Sequence, residues 1–500
     1  MMRTDWLSRQ ALYHPDAPAL TWHPTRETLS FADLDRRARV LATELTRRYD
    51  LGKGSRVAIL APNSLAHVLL FVAAQKAGWV LVPLNVRLAT PELQYLIDDS
   101  SPHLLVLDDS LREEMDELSI DAPRLSRPHV EALSEDGDPD VRGENLRLQD
   151  PLMILYTSGT TGRPKGAIYT HGMCFHNAVN TIQRLDLTGS DCSFNAAPFH
   201  HTGGWNVLLT PFLMQGGHTI LLDGFDAETL LALCDSEGIT IIWGVPTMLK
   251  MMADSDAFDR AELASVRYAI VGGEAMPEPL IRVWQKKGVA IRQGFGMTEV
   301  GPNCFSLPER DALRKIGSIG FPNLLIDTRI IDEEGTDVPV GSVGELLMRG
   351  PVVTPGYWQN PDGTTAAFEG DWFKTGDLVR QDEEGYFYVA GRKKEMYISG
   401  GENVYPAEVE SVLHEYPGVR DAAVVGVPDE QWGEAGFAFV VMEKTGSTEP
   451  EAIQTFCRDN LAAYKVPRHI QFVDELPKGH SDKIDKKALY ELATSTTPAS

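Results

Sequence analysis

Apolar residues recur at helical spacing through Phe31, Leu34, Ala38, Leu41 and Leu45, with Ser30 and Asp33 as a capping pair ahead of them. Arg56-Val57-Ala58-Ile59-Leu60 then reads as a strand, 63–76 as a helix and 79–84 as a second strand. That is a βαβ unit, and its connection implies a right-handed parallel crossover. The alternation returns later: 151–156 is strand-like, 227–238 helical, 240–243 and 267–271 extended, 279–288 helical and 290–292 extended. A large α/β portion on mostly parallel sheet is the expectation. Between the 120s and 148 the chain turns acidic and Pro-rich, which suggests a surface excursion. Beyond 317 the pattern changes. Runs at 327–331, 344–348 and 385–389 are short and separated by Gly, Pro and Asp, as antiparallel strands of a small β-barrel would be. Strand-like 422–427 and 437–442 with helical 406–415 and 451–461 suffice for a compact α+β domain at the end. The expected fold is α/β multidomain: a large domain over 1–391 and a smaller α+β domain over 396–500.

At 500 residues and 43% hydrophobic, the chain can bury more than one core. Its 71 acidic residues exceed its 46 basic ones, a formal charge of −25 that repels nucleic acid. An anionic small molecule must therefore be met by local cations and backbone N–H groups. Five scattered cysteines with no CxxC pair argue against a disulfide frame or zinc site. The first ten residues carry Arg3, Asp5 and Arg9 and no apolar stretch, unlike a signal peptide. No run approaches the roughly 18 apolar residues a membrane span needs. The expected location is cytoplasmic; oligomeric state stays open, a homodimer included.

Thr157-Ser158-Gly159-Thr160-Thr161-Gly162-Arg163-Pro164-Lys165-Gly166 carries the strongest chemical signal. Three glycines let the backbone turn tightly and bring N–H groups toward an anion, while four hydroxyls and Lys165 add donors and charge. The run suits a phosphate group. It departs from the common P-loop, which needs Lys directly after its second glycine. Farther on, Val271-Gly272-Gly273-Glu274-Ala275 follows a strand and would let a flat ring approach the backbone. Gln293-Gly294-Phe295-Gly296-Met297-Thr298-Glu299 follows another, with an aromatic face, a hydroxyl and a carboxylate able to bind Mg²⁺. Thr375-Gly376-Asp377-Leu378 places an Asp after a glycine turn, fit for accepting two hydrogen bonds from a ribose diol.

In this order, and together with Gly391 to Glu395, Ser399-Gly400-Gly401-Glu402-Asn403 and 477–486, these segments resemble the motifs of the adenylate-forming superfamily. Within it they are similar to the acyl-CoA synthetases, the fatty and aryl acid:CoA ligases, over essentially the whole chain. The resemblance implies ATP-dependent conversion of a carboxylic acid to acyl-AMP with release of pyrophosphate, then transfer to the thiol of CoA. By the same resemblance the 157–165 loop holds the β- and γ-phosphates, Thr298 touches the α-phosphate and Glu299 binds Mg²⁺. Phe295 stacks on adenine, Gly273, Glu274 and Ala275 line its other side, and Gly294, Gly296 and Met297 count among the ATP- and AMP-binding residues, with the acyl pocket running past Met297. Asp377 and Arg392 hold the ribose.

Lys483 resembles the adenylation lysine, which bridges the carboxylate and the α-phosphate. The family places Gly before it; here Asp482 stands there, a residue that tolerates left-handed backbone. Lys478 and Lys486 are alternatives for the role. The resemblance makes 392–395 a hinge centred on Lys394. About it the small domain exchanges Lys483 for the Ser399, Gly400, Gly401 and Glu402 face that lines the pantetheine tunnel. Trp432 resembles a tryptophan that meets the CoA adenine, with a core tryptophan as the alternative.

For the acid, Pro198-Phe199-His200-His201-Thr202-Gly203-Gly204-Trp205 resembles the segment whose histidine sits between acyl pocket and CoA tunnel. His201 fits that place, with His200 next. Trp243, Gly244, Val245 and Gly272 would continue the pocket, Gly204 and Gly244 leaving room. No Lys or Arg falls between Leu185 and Leu249, which favours a monocarboxylic acid with an apolar body, fatty or aromatic. Two rivals remain: an enzyme that loads a carrier protein, and a non-catalytic nucleotide-binding regulatory homologue.

Overall fold

The computed structural model describes residues 4–111, 118–137, 139, 145–157, 163–400, 402–429, 432–443, 449–479 and 483–496. The chain forms two compact units. The larger comprises Met1–Met276, Leu280–Thr328 and Met348–Phe373, and the smaller Pro277–Pro279, Arg329–Leu347 and Lys374–Ser500.

The larger unit holds three sheets. In one, Arg124–Ser126, Leu104–Leu107, Arg56–Leu60, Val80–Pro83 and Pro151–Thr157 run parallel in that order, and Lys165–Thr170 closes the edge antiparallel. Arg56–Leu60, the helix Leu65–Ala77 and Val80–Pro83 form the expected βαβ unit. Every residue of that helix is buried, because its sequence is apolar all round and both faces find partners. Its one cation, Lys76, is matched by Asp35 at 2.5 Å and Asp5 at 2.9 Å. The helix Phe31–Tyr49 starts on the capping box read from sequence: Asp33 N–H donates to Ser30 Oγ, and Ser30 N–H to the Asp33 carboxylate.

A second sheet joins Glu27–Ser30, Pro18–Trp22, His218–Leu221 and Cys192–Asn195. The third starts with parallel Ile241–Gly244, Tyr268–Val271 and Ala290–Met297, then adds antiparallel Gly301–Ser306 and Phe321–Pro322. The strand expected at 290–292 thus continues to Met297. Its parallel partner ends opposite Gln293, and Gly301–Ser306 takes over from Gly294 onward, so the backbone stays paired and extended.

In the smaller unit, Glu402–Val404, Tyr397–Ser399, Gly433–Met442 and Val419–Asp429 pair antiparallel, and His469–Phe472 adds parallel to Gly433–Met442. Alternation along these strands sends residues to opposite faces. Val424 and Val440 pack with Leu413 and Ile453, whereas Val425 and Phe439 pack with Leu489 and Ala493. The same unit carries the antiparallel pairing of Asp377 with Arg392, on Trp372–Gln381 and Phe387–Arg392. The short strands expected at 327–331 and 344–348 are present as Asp327–Ile331 and Val343–Arg349.

Candidate active site

The phosphate-type run caps a hairpin. Pro151–Thr157 and Lys165–Thr170 pair with Thr157 opposite Lys165 and Tyr156 opposite Gly166. Ser158, Gly159, Thr160, Thr161 and Gly162 lie outside the described residues. The hairpin base is fixed from several sides. Tyr95 Oη donates to the Pro164 carbonyl at 3.2 Å, and the Arg163 guanidinium lies over the Tyr95 ring. A Cβ on Gly166 would sit 2.7 Å from Ile154 Cγ2, so this position demands glycine.

Opposite Thr157 stands Glu299, in the turn between Ala290–Met297 and Gly301–Ser306. Glu299 is 5% exposed, and its Oε1 lies 3.3 Å from the Thr157 hydroxyl and 3.0 Å from Tyr357 Oη. The Thr354 N–H donates to the Glu299 carbonyl at 2.7 Å, which holds the turn in place. Lys165 Nζ lies 5.1 Å from the centroid of the Tyr357 ring. Thr157, Lys165 and Glu299, distant in sequence, therefore meet around Tyr357, a residue that sequence reading passed over. Nothing local marks it: its neighbours Gly356 and Trp358 read as an ordinary turn. Among the described residues no group of three or more His, Cys, Asp or Glu forms a metal cage. A single carboxylate beside a hydroxyl still fits Mg²⁺, which commonly takes one or two carboxylates and completes its shell with phosphates and water.

Phe295 is half-buried, its ring edge-to-face with Phe305 at 5.7 Å. Gly296 is required by backbone proximity: a Cβ there would lie 2.3 Å from the Gly301 oxygen. Gly273, Glu274 and Ala275 are exposed at the end of Tyr268–Val271, with Gly273 at φ 88°. Gln293 braces that loop, donating from Nε2 to the Glu274 carbonyl at 2.9 Å and accepting the Met276 N–H at 3.2 Å. Gly294, Met297 and Thr298 are part-exposed along the same hairpin.

In the smaller unit Asp377 and Arg392 face each other across two strands, Arg392 Nε 3.4 Å from Asp377 Oδ1. Gly376 lies inside the continuous strand Trp372–Gln381, and its φ of 72° makes the expected turn a left-handed kink in that strand rather than a reversal of the chain. Lys394 is exposed on the turn between Phe387–Arg392 and Tyr397–Ser399. Lys483 is exposed and held by a small loop in which Gly479 N–H donates to its carbonyl at 2.8 Å; Asp482 lies outside the described residues. Of the two alternatives, Lys486 is committed elsewhere, to Glu410 and the Val424 carbonyl, while Lys478 is exposed. Gly400 and Trp432 touch: a Cβ on Gly400 would meet the indole at 2.6 Å, and Gly400 N–H donates to the Trp432 carbonyl. Trp432 is 43% exposed and so is not a core tryptophan. Ser399 is buried, Glu402 is exposed, and Gly401 lies outside the described residues.

The acyl-side residues separate into two groups. His201 precedes the short helix Thr202–Asn206, its ring 4.3 Å from that of His200. Burial, with His201 and Arg87 adding to it, pushes the His200 imidazole down to about 2, so it stays neutral. Trp243 spans two glycines: a Cβ on Gly203 would lie 2.9 Å from its Cζ2, and one on Gly272 would lie 3.9 Å from its Cζ3. The expected room at Gly204 and Gly244 is not there. Pro198 O would stand 2.7 Å from a Gly204 Cβ, and Leu249 Cδ1 2.7 Å from a Gly244 Cβ, so protein atoms fill both spaces. Trp205 is enclosed, stacked on Phe71 and donating from Nε1 to the Phe199 carbonyl at 2.5 Å, so it reaches a ligand only if its neighbours move. Val245 is part-exposed beside Gly273.

The chain belongs to the family of AMP-binding enzymes, matching it over residues 7–358 and matching its C-terminal domain over 408–483. Within that class it is of the adenylate-forming acyl-CoA synthetase type. A feruloyl-CoA synthase of Amycolatopsis is 39% identical, covering 96% of this chain and 97% of the relative. The long-chain-fatty-acid–CoA ligase FadD13 of Mycobacterium tuberculosis is 34% identical over the full length of both. The o-succinylbenzoate CoA synthetase MenE from Bacillus subtilis, solved with ATP and magnesium ion, superposes with a TM-score of 0.86 at 30% identity, over 96% of this chain and 98% of that one.

Proposed function

We propose that the protein is an ATP-dependent acid:CoA ligase acting through acyl-AMP, and that its acid is an aromatic monocarboxylate. The convergence of Thr157, Lys165 and Glu299 in the larger unit carries the nucleotide part of this reading. A carboxylate is a poor acyl donor because its leaving group would be oxide. Attack of its oxygen on the α-phosphorus of ATP breaks the bond to pyrophosphate and leaves a mixed anhydride. The CoA thiol then attacks the acyl carbon, and AMP departs with the electron pair of the broken C–O bond.

In the first step Lys165 and the 158–162 backbone grip the terminal phosphates, Thr298 meets the α-phosphate and Lys483 neutralises both the carboxylate and the phosphorus centre. Glu299 would hold magnesium, which when bound would supply charge neutralisation on the phosphates. Phe295 covers one adenine face, the 273–275 backbone the other, and Asp377 with Arg392 takes the ribose. For the second step, the turn at Lys394 serves as hinge and the Gly400–Trp432 surface receives CoA. His201 stands at the junction of acyl and thiol paths. Large domain 1–391, hinge 392–395 and small domain 396–500 remain the working division.

An aromatic acid is favoured because the buried indole of Trp243 lies against Gly203 and Gly272, part-exposed positions without side chains where a flat ring would meet an aromatic neighbour. The feruloyl-CoA synthase relative supports the same choice. Among the described residues no helix is long and apolar enough to cross a membrane, and the five unpaired, buried cysteines suit a cytoplasmic setting. The deciding experiment offers a panel of cinnamic, benzoic and straight-chain acids with ATP, Mg²⁺ and CoA and follows AMP and thioester. Turnover is expected to be fastest with a cinnamic or benzoic acid. Faster turnover of a long-chain acid would remove the aromatic assignment, and no acid-dependent AMP with any substrate would remove the ligase reading.

A further inference from the structure

We infer that Tyr357 is a positioning residue that keeps the phosphate-binding lysine and the metal-binding carboxylate apart while holding each in place. Lys165 and Glu299 carry opposite charges and serve different partners. A direct ion pair would neutralise both, and among the described residues none joins them. Tyr357 gives each its own contact. Its hydroxyl donates to Glu299 Oε1 at 3.0 Å, and its ring face receives the Lys165 ammonium at 5.1 Å from the centroid. The Thr157 hydroxyl, 3.3 Å from the same Oε1 and 3.4 Å from the Lys165 carbonyl, has one hydrogen to share between them, so Tyr357 is the more dedicated donor.

The tyrosine is itself pinned. Its N–H donates to Thr364 Oγ1 at 3.0 Å, and its backbone bridges antiparallel to Ala167. Next to it, the Trp358 N–H donates to the Gly166 carbonyl at 2.7 Å, one residue from Lys165. On its other side Thr354 binds both arms of the site, donating its N–H to the Glu299 carbonyl and its hydroxyl to the Ile168 carbonyl at 2.7 Å. The segment 354–358 is thus a strap between the phosphate hairpin and the Glu299 turn, and Tyr357 is the side chain it delivers between the two charges.

This inference rests on the adenylation reading, and the experiment separates the two. Wild type, Tyr357→Phe and Tyr357→Leu are compared by calorimetric ATP binding with and without Mg²⁺, by acid-dependent ATP–pyrophosphate exchange, and by thioester formation from supplied acyl-AMP. Tyr357→Phe keeps the ring, so its metal-free ATP affinity should stay within about twofold of wild type while the affinity gained on adding Mg²⁺ shrinks about tenfold, as loss of a hydrogen bond to a charged group predicts. Tyr357→Leu removes the spacer as well, so metal-free ATP affinity should also fall, by about fivefold. Thioester formation from acyl-AMP should be unchanged in both, which also verifies folding. An unchanged Mg²⁺ gain in Tyr357→Phe, or equal loss of exchange and thioester formation, would overturn the positioning role. Absence of exchange in wild type would instead remove the adenylation reading beneath it.

Discussion

Replacing Gly296 by alanine tests whether backbone proximity in the 290–306 hairpin is what aims the nucleotide-facing side chains. The added Cβ would lie 2.3 Å from the Gly301 oxygen and from the carbonyl carbon and oxygen of Pro302. Carbon contacts are comfortable at about 3.5–4.0 Å, so the two arms must separate by roughly an ångström or more. All three obstacles are backbone atoms, and no side chain can swing away to relieve them. Overpacking of this kind costs about 1–3 kcal/mol. Separation also spoils the edge-to-face contact of Phe295 with Phe305, worth about 0.5–1.5 kcal/mol. The total is roughly 1.5–4.5 kcal/mol, or about a ten- to thousandfold loss of ATP affinity if all of it falls on binding. Gly272→Ala, just past the strand Tyr268–Val271, is the control, since its nearest atoms stand at 3.9 Å. Calorimetric ATP titration with thermal melting on both variants decides the matter. If Gly296→Ala bound ATP within threefold of wild type and melted with it, the proximity argument would be wrong.

Other outcomes follow from the smaller unit and from one buried histidine. Lys483→Ala should slow ATP–pyrophosphate exchange at least about a hundredfold and spare thioester formation from acyl-AMP, since it removes a charge-stabilising donor from the first step alone. Lys486→Ala should instead lower stability by roughly 1–3 kcal/mol, seen in chemical denaturation, because it breaks the contacts with Glu410 and Val424. Lys394→Pro should impair thioester formation more than pyrophosphate release; equal loss of both in single-turnover assays would count against a hinge there. His171 is fully buried, and among the described residues neither ring nitrogen has a hydrogen-bond partner. Burial outweighs the pull of Asp150 and takes its pKa from 6.5 down to about 4. The unfolded chain therefore binds the proton first, and the stability this group contributes above pH 6.5 is lost progressively between pH 6.5 and 4. His171→Phe should flatten the stability–pH curve in that window by about 1.4 kcal/mol per pH unit; an unaltered slope would refute the assignment.

Periodicity revealed the elements whose own sequence sets their boundaries. The Ser30–Asp33 capping box and the strand Arg56–Leu60 stand where the pattern places them. It failed where a neighbour decides. Ala290–Met297 outlasts its apolar run because Gly301–Ser306 pairs with its second half, and Gly376 joins a strand because its flanks are laddered. Glycines were the least legible residues. Gly204 and Gly244 look like space on paper, yet Pro198 O and Leu249 occupy it, because a missing side chain serves close packing as readily as a ligand. The chemistry-bearing motifs stood out since each concentrates polar groups at a strand end. Tyr357 did not, because its importance comes from Lys165 and Glu299, residues 192 and 58 positions away.

The exposed indole on Gly400 has an optical use. All nine tryptophans of the chain are described, and Trp432 is the one that stands open to solvent. Collisional quenchers such as iodide should strip its emission first, leaving a bluer residual spectrum from the sheltered eight. Shielding of that quenchable fraction on addition of a thiol cosubstrate would convert an unmodified side chain into a dye-free gauge of occupancy.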